Sequence, residues 1–91
     1  MTRIKIKYIK WDNWNREHII KHGVTIEEIV EASKNLYFHR KTDKNRYLAV
    51  GRSNTRLLTL IINRENIGIY YLVTAFDTAK KDRKKVYEKE K

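Results

Sequence analysis

Apolar and charged residues alternate at the start of the chain: Ile4, Ile6 and Tyr8 are interleaved with Arg3, Lys5 and Lys7. A period of two predicts a half-buried strand. From Asp12 the pattern changes to helical spacing. Asp12 is placed to cap a helix running from about Asn13 to His22, with Lys21 and His22 in its last turn. Gly23 fits the left-handed position just past that end. Thr25-x-x-Glu28 is a capping box before Ile26, Ile29 and Val30, so a second helix is predicted from about Ile26 to Asn35.

The next segments read as strands separated by polar turns. Leu36 to Arg40 ends in the turn Thr42-Asp43-Lys44-Asn45, and Tyr47 to Val50 resumes. Gly51 marks a bulge or a close backbone approach. Ser53-Asn54-Thr55 turns into the apolar run Arg56 to Ile62, suited to a central strand. Asn63 to Gly68 turns again, and Ile69 to Phe76 is the last strand. Asp77 or Thr78 is expected to cap a final basic helix. The class is therefore α+β, in the order β-α-α-β-β-β-β-α. The last four strands form an antiparallel meander, with helices on one sheet face and the other face free for a partner.

The 91 residues suit a single domain, 1–91. Twenty-one basic residues against 11 acidic ones give a charge of +10, which points to a polyanionic partner, nucleic acid first. The blander reading is that the charge serves solubility, but an excess this large also strains the compact state by self-repulsion. Cysteine is absent, which removes disulfides and thiolate chemistry. Three scattered histidines make a poor zinc set, so neither a metal nor another cofactor is expected. Residues Met1 to Lys7 hold no continuous apolar run, and no segment is apolar enough to span a bilayer. The expected location is the cytoplasm, without a membrane partner.

Several of these segments, in this order, resemble the BrnT toxins of bacterial type II toxin–antitoxin systems, which share the RelE/ParE-like fold. The matching residues are Trp11-Asp12, Lys21-His22-Gly23-Val24-Thr25, Glu27-Glu28, Arg46-Tyr47-Leu48-Ala49-Val50-Gly51, Arg56-Leu57-Leu58, Thr74-Ala75 and Tyr87-Glu88. The resemblance implies metal-independent cleavage of RNA that arrests translation. It also implies a cognate antitoxin partner that binds DNA and masks the toxin. The chain departs from the family pattern at Phe76, where an arginine usually follows the Ser/Thr-Ala pair, and Val86 stands inserted before Tyr87.

Metal-free RNA cleavage needs a base for the 2′-hydroxyl, cations for the developing phosphorane charge and an acid for the leaving oxygen. The candidate catalytic residues are Arg83, Tyr87 and Arg56, and the candidate RNA-binding residues are Arg46, Arg52, Lys80, Lys81 and Lys84. Arg83 and Tyr87 stand four apart on the last helix and so share a face. Arg46, Arg52 and Arg56 lie on or beside neighbouring strands. His22 is read as a helix-end residue, His18 as a packing residue beside Trp14, and His39 as the best histidine for chemistry. Trp11 and Trp14 are read as core anchors. An antitoxin segment is expected in a basic groove between sheet and last helix. Two functions follow: a ribonuclease toxin, or a non-catalytic RNA- or antitoxin-binding module of the same fold.

Overall fold

A computed structural model describes residues 4–90; Arg3, which opens the alternating segment, lies outside the described residues. The elements are β1 (Tyr8–Lys10), α1 (Asn13–Lys21), α2 (Ile26–Lys34), β2 (Leu36–Asp43), β3 (Arg46–Ser53), β4 (Arg56–Asn66), β5 (Ile69–Asp77) and α3 (Lys80–Glu90). One five-stranded sheet has the order β1-β5-β4-β3-β2. The last four strands are antiparallel neighbours, whereas β1 runs parallel to β5, so the sheet is mixed. The first strand is shorter than its alternation predicts. Only Tyr8–Lys10 pairs, against Ile69–Tyr71, while Ile4 and Ile6 lean on the core without joining the sheet.

Local sequence builds the α1–α2 unit. Asp12 and Asn15 cap each other reciprocally, as do Thr25 and Glu28. At the end of α1, Gly23 adopts φ +67°. The amides of Gly23 and Val24 donate to the carbonyls of Ile20 and Ile19 at 3.0 and 3.1 Å, which closes the helix end. Asn15 is fully buried and spends its side-chain amide on the carbonyls of Lys10 (3.0 Å) and Leu72 (3.1 Å). It thereby satisfies the β5 edge where the short β1 leaves it.

The larger core lies between the sheet and these two helices: Ile19, Ile29 and Ala32 meet Ala49, Leu58, Leu60, Ile62, Leu72 and Ala75. Gly51 is a close approach, as expected, because a Cβ there would overlap the Ala32 carbonyl. The opposite face is not left free. There Leu48, Val50 and Leu57 are covered by Val86 of α3, with Tyr37, Phe38 and Ile61 around them. The two cores share strands but not side chains, because successive strand residues point to opposite faces.

Candidate functional site

A single apolar side chain and a few polar ties hold α3. Val86 is fully buried. Asp82 is buried and accepts from Arg40 Nη1 at 3.3 Å, and Lys85 Nζ stands 5.6 Å from the Phe38 ring centroid. Ahead of the helix, the Thr78 amide donates to the Leu57 carbonyl, and Thr59 Oγ1 pairs with Thr78 Oγ1 at 3.1 Å. Neither expected cap acts as one: the Thr78 hydroxyl is taken by Thr59 and the Asp77 carboxylate by Arg56.

Because Asp82 and Val86 face inward, Lys80, Arg83, Lys84 and Tyr87 recur at helical spacing on the outward side. With Lys81 they line a shallow bay of about 630 Å³. Tyr87 is 52 % exposed, an apolar ring set among cations rather than in the core. The bay is on the outer surface of the helix. The expected groove between sheet and helix is filled by Val86 against Leu48, Val50 and Leu57.

The strand arginines divide between the two faces. Arg46 and Arg52 alternate in step with Leu48 and Val50 and so share the α3 face, at opposite ends of β3. Arg46 is exposed. Arg52 Nε donates to the Tyr37 hydroxyl at 3.1 Å, with the guanidinium carbon 5.7 Å from the ring centroid.

Arg56 points to the α1–α2 side. Its Nε and Nη2 donate to the two Asp77 oxygens at 2.6 and 3.1 Å, and its Nη1 to the Gly23 carbonyl (2.9 Å) and the Glu28 carboxylate (3.0 Å). Hydrogen bonding to Asp77 and then to Glu28 raises the Arg56 pKa above its ordinary value. The hydrogen bond from Arg56 holds Asp77 below the usual carboxylate range, with the charges of Arg56 and Arg83 adding to it. Glu28 is lowered first by the Thr25 amide and then by Arg56. The structure thus gathers Lys80, Lys81, Arg83, Lys84 and Tyr87 on one surface, and sets Arg56 apart as a clamp between the α1–α2 turn and the end of β5. Arg83 lies close enough to that clamp for its charge to act on Asp77.

His39 lies on the α1–α2 face of β2, its ring 6.1 Å from that of Tyr47, away from the α3 bay. Trp11 packs against the core as expected. Trp14 does not: it is 55 % exposed. Its indole stacks on the His18 imidazole, with ring centroids 4.8 Å apart and planes 9° from parallel. His18 meets His22 edge-on at 5.4 Å, and His22 faces Phe76 at 6.2 Å. The spacing i, i+4, i+8 was visible in the chain, but an aromatic residue at a helix start reads as core. The inward positions of α1 are instead Asn15 and Ile19.

Among the described residues no group of three or more metal-binding side chains is placed to hold a metal ion. No described helix is long and apolar enough to cross a membrane.

No family model matches the chain, and no curated protein matches it. Among solved structures, the 1.1 Å crystal structure of the Brucella abortus ribonuclease toxin BrnT is similar, with a TM-score of 0.57 at 20 % identity. The match covers 80 % of this chain and 97 % of that one. At this level of identity the likeness is one of architecture: a mixed five-stranded sheet with three helices, in which the chain has the BrnT-like fold.

Proposed function

We propose that this protein is the toxin of a type II toxin–antitoxin pair, a metal-independent ribonuclease that inhibits translation. The reading takes the chain as one RelE/ParE-like domain that acts in the cytoplasm and is silenced by a cognate antitoxin. The observation that carries it is the outward stripe of Lys80, Arg83, Lys84 and Tyr87 on α3, in a chain of charge +10 with a BrnT-like fold. Three cations along one helix side follow a phosphate backbone, and the exposed Tyr87 ring offers a surface for a base. In the reaction the 2′-oxygen bonds to the adjacent phosphorus and the P–O5′ bond breaks. One proton leaves the 2′-hydroxyl and one reaches the departing 5′-oxygen, giving a cyclic phosphate and a 5′-hydroxyl. Arg83 binds the non-bridging oxygens, with Tyr87 four residues on as its neighbour in proton transfer or stacking. Arg56 acts through Asp77, as a positioning residue at the root of the helix.

A second reading, an RNA- or antitoxin-binding module without catalysis, is favoured by Phe76. Its ring lies beside His22, at the position where the resemblance implies a phosphate-gripping arginine. Inducible expression of the wild type beside Arg83→Ala and Tyr87→Ala separates the two. Growth arrest with RNA breakdown, relieved by either substitution, supports the ribonuclease; intact RNA from folded wild-type protein leaves the binding module.

A further inference from the structure

The row Trp14–His18–His22–Phe76 takes no part in either core. Interactions at i and i+4 stabilise a helix by a few tenths of a kcal/mol, which is a sufficient reason for a Trp–His pair in general. It is a poor reason for this one. Tryptophan carries the largest apolar surface available to a helix, and here more than half of it stays in water instead of filling the core. His18 lies flat on one side of the indole, and His22 and Phe76 extend the line to the end of β5. The rings are therefore held in place before any ligand arrives, which removes an ordering cost from binding.

The direction of the row matters as much as its exposure. It ends at Phe76, four residues before Lys80, the first residue of α3. The chain between Phe76 and Lys80 spans at most about 14 Å, so an RNA strand held on the α3 cations can extend past Phe76 toward the α1 rings. Aromatic platforms beside cationic tracks bind single strands, because every base has a π face whatever its sequence. A duplex, whose bases are already stacked on each other, has nothing to offer the indole.

We infer that Trp14, held by His18, is a base-stacking subsite for single-stranded RNA, reached from the α3 cations by way of Phe76 and His22. The inference rests on the ribonuclease reading and extends it by naming the form of the substrate and a second contact region.

The test uses the intact protein and two labelled oligoribonucleotides of equal length and charge: oligouridylate, and the same backbone with abasic sugars. Binding is followed by anisotropy, together with the quenching of tryptophan emission. Wild type is expected to prefer the base-bearing strand by about tenfold. Trp14→Ala brings the ratio of the two affinities close to one, Trp14→Phe retains most of it, and His18→Ala lowers it partway. Arg83→Ala weakens both strands and preserves the ratio, so the stacking and phosphate contacts are read separately. An unchanged ratio in Trp14→Ala, with RNA still bound, overturns the subsite alone. Failure of the wild type to bind either strand overturns both the subsite and the ribonuclease reading.

Discussion

The two faces of the sheet are built to different standards. On one, α1 and α2 bury a continuous cluster and are fixed by reciprocal caps, a glycine-terminated helix end and the buried Asn15 amide. On the other, α3 rests on Val86, one ion pair and a pair of hydroxyls, and turns a row of cations outward. The first face supplies most of the apolar burial that stabilises the fold; the second gives up burial for charge and access. A helix dense in lysine is poor material for a core, since burying an unpaired ammonium costs far more than it returns.

Core substitutions test that contrast most severely. Leu60→Ala, in the larger cluster, is expected to cost roughly 3 kcal/mol in chemical denaturation. Val86→Ala on the α3 face should cost about 2 kcal/mol or less, because only two methyl groups are lost and α3 can shift to close the gap. Equal losses would mean that α3 is as integral as α2. Asn15→Ala should cost on the order of 2 kcal/mol, since it leaves the carbonyls of Lys10 and Leu72 without their donor.

Acid sharpens the comparison further. Asp77 and Glu28 are both held below their ordinary pKa by their hydrogen-bond partners, Arg56 among them. Their contribution is therefore complete above the unfolded carboxyl range near about pH 4 and is lost progressively as the pH falls from there through their lowered folded values. Thermal melts of the wild type should drop more steeply from about pH 5 to pH 3 than those of Arg56→Met. The difference should stay below about 1 kcal/mol, because Asp77 is exposed and screened by salt. Smallest of all, Arg83→Ala should change stability by less than about 0.5 kcal/mol. The same substitution should reduce RNA affinity and flatten its dependence on salt.

What was legible in the chain follows from the range of the forces involved. The caps at Asp12 and Thr25, the stop at Gly23 and the close approach at Gly51 are decided within a few residues or by a missing side chain. The parallel pairing of β1 was not legible, because its length is set by where β5 offers an edge and not by its own alternation. Asp77 and Thr78 have the chemistry of caps, but Arg56 and Thr59, distant in sequence, claim them first. The stripe on α3 could be read from spacing alone. The sorting of Arg56 away from Arg46 and Arg52 could not, because it depends on two-residue turns that set the parity of each strand. Trp14 departs from the core role its position suggests for a related reason. A buried polar residue, Asn15, occupies the inward position where an apolar one is usually sought.

The Asn15 amide also orders events in time. Its acceptor on Leu72 lies 57 residues further along the chain, and β1 waits for the same strand. During synthesis, the segment from β1 through α1 cannot dock until β5 has left the ribosome, whereas the hairpins from β2 onward can close as they emerge. The helix bearing the rings is therefore seated late, after its own residues have long been made, and the sheet edge it completes stays open to other chains until then.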